Sequence, residues 1–347
     1  MFNLLILFVW MGLQIGDIVS RKEVKFEDLK GKIIAVDAFN AIYQFLSSIR
    51  QLDGTPLMDN EKRVTSHLSG LFYRNISLLS EGIKLIYVFD GEYHELKGKT
   101  HEIRNEAKQE AKEKYEDARD EGDVEGMGKY AKSLTRLNTE MIQESKELLE
   151  AMGIAIVQAP GEGEMQAADL VKQGVAYAVG SQDYDALVVG GNRLIQNLTL
   201  ARTRKTRSGT IYISPEVIEY EKVLQSLGID PDQFISLAIL VGTDFNPGGV
   251  RGIGPKKALS LVREKKYPVM IFKELEEQGR LDFDWKKVFE IFKKPNIERK
   301  KVEFPKMNKE RIKEILVDRH DFSLERVEKQ LGKLEEVKKG SSQRKLF

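Results

Sequence analysis

The chain has 347 residues, enough for roughly two domains of ordinary size and a large buried core, so a small disulfide-stapled scaffold is excluded. Its 55 Lys and Arg and 54 Asp and Glu cancel to a formal +1, but the cancellation is segmental: 28 basic against 37 acidic residues over 1–249, 19 against 10 over 250–313, and 8 against 7 beyond. There is no cysteine, which excludes disulfides, thiolate metal sites and cysteine nucleophiles and leaves oxygen or histidine to hold any metal.

The opening run MFNLLILFVW is too short for the roughly 20 apolar residues of a transmembrane helix. It also lacks the basic flank and cleavage site of a signal peptide. Residues 1–11 are expected to be a non-native or misannotated extension up to a natural start at Met11. Residues 32–37 (KIIAVD) read as a strand halted by Asp37, followed by a helix, and 52–60 as a loop. Val64, Leu68, Leu71, Phe72 and Leu79 predict a helix over 62–81 capped by Gly82, and 85–90 (LIYVFD) a strand ending at Asp90. From 92 to 133 charge is dense, and the only apolar stripe is Ile103, Ala107, Ala111 and Tyr115. That predicts one or two helices leaving the core, with a turn among Gly122, Gly126 and Gly128. Residues 155–160 are a predicted strand leading into a helix that carries Glu162 and Glu164. Residues 176–185 form another, ending in Asp183 and Asp185, and 187–191 and 193–198 are expected to continue the sheet. A basic hairpin over 199–210 follows, then helices, interrupted by an apolar run at 238–244 that ends in Asp244. Strands alternating with helices predict an α/β class with a central, mostly parallel sheet flanked by helices, followed by a smaller helical module.

Asp37, Asp90, Asp183, Asp185 and Asp244 each follow an apolar run, and Glu162 and Glu164 sit at a strand-to-helix junction. In an open α/β sheet such positions share the carboxyl edge, where ligands bind. Any one of these Asp residues could simply cap a helix. Seven carboxylates together would repel unless cations neutralise them, and an all-oxygen set of this size implies two Mg2+ ions, with Mn2+ as a substitute. Paired metals suit in-line hydrolysis of a phosphodiester. The segment 248–262 (GGVRGIGPKKALSLV) lacks the phosphate-loop spacing, but its Gly-Ile-Gly-Pro turn opens a helix with Lys256 and Lys257 inside the basic segment. That suits a nucleic-acid backbone. Two other readings remain open: a phosphatase using the Asp183-x-Asp185 pair, although Ala186 and Leu187 stand where its motif places a Thr, and an inactive junction-binding scaffold, although none of the carboxylates is degraded.

Together AVDAFNAIYQFL, VFDG followed by Lys97 and Arg104, PGEGEMQAA, SQDYDAL and LVGTDFNPGGVRGIGPKKA resemble the flap endonucleases, the structure-specific 5′ nucleases of archaeal and eukaryotic replication, from Met11 to about residue 330. The resemblance implies a PIN-like nuclease core over 12–337, with an N-terminal part at 12–110, a helical arch at about 92–133 and an internal part at about 134–260. A helix-two-turn-helix with C-terminal helices would span about 232–337, and a flexible tail 338–347. It implies 5′ flap endonuclease and 5′–3′ exonuclease activity on DNA in replication and repair, with the seven carboxylates holding both metals and Asp183 and Asp185 at the catalytic centre. Lys97 and Arg104 would polarise the scissile phosphate, Tyr43 would stack on the terminal base, and Arg50, Gly252, Gly254, Lys256 and Lys257 would contact DNA, with K+ held at the two-turn element. The tail QRKLF, through Gln343, Leu346 and Phe347, resembles a shortened binding motif for the sliding clamp PCNA. A cytoplasmic, nucleoid-associated monomer that binds branched DNA and no membrane is expected.

Overall fold

A computed structural model describes residues 12–51, 53–92, 94–206 and 209–343. The tail residues Leu346 and Phe347 and the opening apolar run lie outside the described residues. Among the described residues nine strands form in chain order: β1 (Lys22–Glu23), β2 (Ile33–Asp37), β3 (Lys84–Phe89), β4 (Ala155–Gln158), β5 (Ala178–Gly180), β6 (Arg193–Gln196), β7 (Thr203–Thr206), β8 (Gly209–Tyr212) and β9 (Glu216–Glu219). Seven make one sheet in the order β1-β9-β6-β5-β2-β3-β4. The five contiguous strands from β6 to β4 are parallel, β9 pairs antiparallel with β6, and β1 pairs antiparallel with β9 at that edge. β7 and β8 pair separately as the expected basic hairpin.

Period-two alternation explains why the parallel strands read as continuous apolar runs, because both faces are covered. Ile34, Val36, Leu85, Tyr87 and Phe89 enter one core with helices α1 (Ala38–Ser48), α2 (Ser66–Ser80) and α5 (Thr139–Ala151) and the C-terminal α14 (Leu324–Gln343). Ala35, Ile86, Val88, Val157 and Val179 enter the other, with α6 (Gly163–Lys172), α7 (Asp185–Val188), α8 (Tyr220–Leu227), α9 (Pro231–Val241), α10 (Pro255–Lys265), α11 (Pro268–Glu277) and α12 (Trp285–Lys293). The short α13 (Lys309–Lys313) packs on α5 and α14. The charged excursion is a helix pair, α3 (Gly98–Asp120) and α4 (Val124–Ala131), packed on one another with the turn at Gly122.

Three expectations need correction. The apolar run before Asp244 belongs to a helix, not a strand. Residues 234–240 are buried all round α9, so they show no period, and the Asp230 capping box with Gln233 and Pro231 at the first turn starts the helix. Residues 187–191 are the end of α7 and a turn, not sheet. The helix expected from 62 begins only at Ser66, because Asp59 accepts the amides of Glu61 and Arg63 and folds the preceding segment into a turn. Strand β9 went unread because EVIE is four residues long with charged ends. Among the described residues, no helix is long and apolar enough to cross a membrane.

Candidate active site

The chain runs outward from β2 through β3 to β4, then returns to lay β5 and β6 on the other side of β2. The topological switch therefore lies between β2 and β5, where an open α/β sheet forms its binding cleft, at the carboxyl ends of the strands. Asp37 ends β2, Asp90 follows β3, and Asp183 and Asp185 follow β5. Glu162 and Glu164 begin α6 after β4, while Asp244 arrives from the loop after α9.

Each carboxylate is held by local chemistry. Asp37 Oδ1 accepts from Asn40 N at 3.0 Å, so it does cap α1 as well as face the cleft. Asp90 Oδ1 accepts from Gly163 N at 2.7 Å, which makes Asp90 the cap that Glu162 does not provide. A side chain at 163 would place Cβ 2.7 Å from Asp90 Oδ1 and 2.9 Å from Val88 O, so the residue between the paired glutamates must be small or shift the loop. Glu164 Oε1 accepts from Ala186 N at 3.2 Å. Asp183 Oδ1 accepts from Tyr184 N at 2.6 Å and Leu13 N at 3.1 Å, which brings the N-terminal segment onto the site. Gly12, at φ +80°, lies so close that a Cβ would sit 1.6 Å from Asp183 Oδ2. Asp185 Oδ1 is buried with no hydrogen-bond partner.

The electrostatics follow from burial and crowding. Burial, then Asp90, pushes the Asp37 carboxyl up to about 8. Burial and Glu162 push Asp90 to about 6, and burial and Asp244 push Asp183 to about 7. Burial, then Asp183, lifts both Glu164 and Asp185 well above the ordinary carboxylate range. Two cations stand against this charge, Lys97 just before α3 and Arg104 within it. Lys97 Nζ lies 2.5 Å from Glu162 Oε2 and 3.6 Å from Asp244 Oδ2, and Arg104 Nη2 lies 2.8 and 2.9 Å from the two oxygens of Asp244. Burial pulls the Lys97 pKa down, but Glu162 and Asp244 more than offset it and hold the ammonium charged.

Among the described residues, no group of three or more His, Asp or Glu could hold a metal ion as it stands. Lys97 is inserted between Glu162 and Asp244, and Asp37, Asp90, Glu164 and Asp183 are tied to amide donors. The residues nonetheless fit hard divalent cations: every donor is oxygen, burial and crowding raise the carboxyls of Asp37, Asp90, Glu164, Asp183 and Asp185, and Asp185 Oδ1 lacks a partner.

Of the remaining sequence-predicted residues, Tyr43 is half-buried on α1, outside both cores, and within electrostatic reach of Arg104 and Asp90. Arg50 is tied elsewhere: it donates to Leu46 O (2.9 Å), Gly54 O (2.7 Å) and Thr135 Oγ1 (2.7 Å), joining α1, Gly54 and the segment between α4 and α5. Gly252 (φ +79°) and Gly254 form the turn before α10, Lys256 is exposed, and Lys257 Nζ donates to Gly252 O at 3.2 Å. Gln343 ends α14. Sequence reasoning missed Thr100, whose hydroxyl donates to Asp244 O, and Phe245, whose ring lies 5.3 Å from Lys97 Nζ. Only adjacency to Asp244 and to the Lys97–Arg104 pair could have signalled them.

A mostly parallel α/β sheet with clustered acids at its switch point and two basic groups beside them is matched here by family models of the XPG nucleases, a metal-dependent class. The XPG N-terminal domain matches residues 12–111 and the XPG I-region residues 153–244. Flap endonuclease 1 of Pyrococcus furiosus is 50% identical over 336 residues, covering 96% of this chain and 97% of the relative. That of Aeropyrum pernix is 49% identical over 331 residues, covering 93% and 94%. The flap endonuclease-1 structure from Methanococcus jannaschii aligns with a TM-score of 0.74 at 41% identity, over 94% of this chain and 98% of that one. The chain belongs to the flap endonuclease family. The catalytic core of Rad2 in complex with DNA substrate shares the fold at 23% identity and a TM-score of 0.67, over 90% of this chain and 96% of that one.

Proposed function

We propose that the chain is a Mg2+-dependent structure-specific 5′ flap endonuclease and 5′–3′ exonuclease that cuts DNA at the junction of single strand and duplex, in replication, including Okazaki fragment maturation, and in repair. The observation that carries this is the convergence of seven carboxylates at one switch point beneath two basic residues of the arch. Asp37, Asp90, Glu162, Glu164, Asp183, Asp185 and Asp244 would hold two Mg2+ ions, or Mn2+ in their place. When bound, such ions polarise the phosphate and lower the pKa of water. Lys97 and Arg104 turn from their carboxylate partners to the scissile phosphate and stabilise the charge that develops there. Tyr43 offers its ring to the terminal base, a contact worth roughly 1–3 kcal/mol that does not depend on sequence. The arch of α3 and α4 borders the path of the single strand. The Gly252–Gly254 turn, with Lys256, Lys257 and a K+ ion, grips the duplex backbone and reads shape, since phosphate contacts carry no sequence information. The remaining assignments are a cytoplasmic, nucleoid-associated monomer and a PCNA contact through the C-terminal tail.

The test is a panel of double-flap, nicked, blunt-duplex and single-stranded DNA with Mg2+. The expected result is cleavage within about one nucleotide of the junction and little cutting of single strand. Equal cutting of all four, or hydrolysis of a small phosphate ester in preference to DNA, would overturn the reading.

A further inference from the structure

Lys97, Thr100 and Arg104 stand at i, i+3 and i+7 along the base of the arch, and all three reach one residue. The two cations hold the Asp244 carboxylate, whereas Thr100, only 4% exposed, donates its hydroxyl to the Asp244 main-chain carbonyl at 2.6 Å. That carbonyl lies in a rigid loop. Thr243 N and Oγ1 donate to Asn246 Oδ1 at 3.2 and 2.7 Å, Asn246 Nδ2 donates to Ile239 O at 2.7 Å, and Gly242 N donates to Ala238 O at 2.8 Å. The arch base is thus fastened to the loop by two kinds of bond. The ionic pair must be given up if Lys97 and Arg104 are to reach a phosphate. The Thr100 bond is neutral, is made to main chain, and does not compete with phosphate.

We propose that Thr100 is a positioning residue that keeps the arch base docked on the 242–246 loop while Lys97 and Arg104 exchange carboxylate for the scissile phosphate. This rests on the reading of those two residues given above. With the bond present, the swing of the two long side chains starts from a fixed backbone. Without it, release of the ion pairs also frees the start of α3, and a displacement of about 1 Å can cost about 100-fold in rate.

The test uses Thr100→Val, which removes the donor at similar volume, Thr100→Ala as a second variant, and Thr100→Ser, which restores the hydroxyl. Single-turnover cleavage of a double-flap DNA at saturating Mg2+ is read beside the Kd for the same DNA in EDTA. The single-turnover rate is expected to fall about 10-fold or more for Val and Ala, with Kd within about twofold and Ser within about twofold of wild type. A wild-type rate in Val or Ala, a loss confined to Kd, or failure of Ser to rescue would overturn the proposal. If Val does not fold, Ala and Ser decide. Asp185→Asn is run in parallel: if it too cuts at the wild-type rate, the reading of the carboxylate site fails rather than the role of Thr100.

Discussion

Lys97 meets two of the seven carboxylates, and its neighbour Arg104 meets one of the same two, so the positive charge over the cleft is concentrated on Glu162 and Asp244. A partly buried ammonium placed this way is suited to stabilising charge that appears only in the transition state. Lys97→Ala is accordingly expected to lower single-turnover cleavage by roughly 100-fold or more while changing DNA affinity by less than about threefold. Rapid-quench kinetics beside a binding titration checks it, and a loss seen only in affinity would reduce Lys97 to a positioning role. At this scale the sequence was most legible where a residue type is costly without a reason: acids that follow apolar runs are conspicuous. Thr100 was not legible, because a threonine in a charged helix reads as surface until a carbonyl is found opposite it. Arg50 illustrates the converse, since nothing in its surroundings along the chain signals that two of its donors close local structure and a third reaches Thr135.

The elements were legible where a period was visible. α9 was misread because complete burial erases periodicity, and β9 because four residues carry too little pattern. One junction between elements had no sequence signal at all. The turn before α2, α2 itself, α5 and the segment after α13 meet in a buried ionic cluster. His320 Nδ1 lies 3.0 Å from Asp59 Oδ2 and its Nε2 2.9 Å from Glu144 Oε1, His67 Nε2 lies 3.5 Å from Glu144 Oε2, and Arg63 Nε lies 2.7 Å from Asp59. Burial lowers the His67 pKa. For His320 burial acts in the same direction, but Glu144 and Asp59 outweigh it and raise the pKa above 6.5. Asp59 and Glu144 are both held down at about 2, burial notwithstanding, by their bonds to His320 and, respectively, Arg63 and His67. A raised histidine stabilises the fold fully below about pH 6.5, and that contribution disappears as pH rises through its folded value. The depressed acids keep their charge across that window and release their contribution only as pH falls towards 2. His320→Gln should therefore destabilise by about 1–3 kcal/mol at pH 5.5, with the gap to wild type narrowing by pH 9. Thermal melts of both proteins at the two pH values decide it, and a gap that is constant or widens would contradict the assignment of charge.

Across the whole molecule, the formal +1 separates into two territories. The acidic surplus upstream contributes the carboxylates gathered at the switch point of the sheet, and the basic surplus of 250–313 divides between the segment of α10, α11 and α12, tied to the start of α3 where Lys99 meets Asp282 at 2.8 Å, and residues 294–313, which end in α13. The sheet, its two cores and the helical excursion were legible from alternation and charge. The order of strands about β2 was not, because long-range pairing leaves no mark on local sequence. In the function proposed above, chemistry and DNA grip are separate parts of this fold. Asp185→Asn tests it most directly, since its Oδ1 has no partner to lose and the change removes charge at nearly constant shape. With a double-flap DNA and Mg2+, the account predicts cleavage reduced by roughly 100-fold or more and an affinity for the same DNA within about threefold of wild type. Cleavage within tenfold of wild type, or loss of binding in step with loss of cleavage, would contradict it.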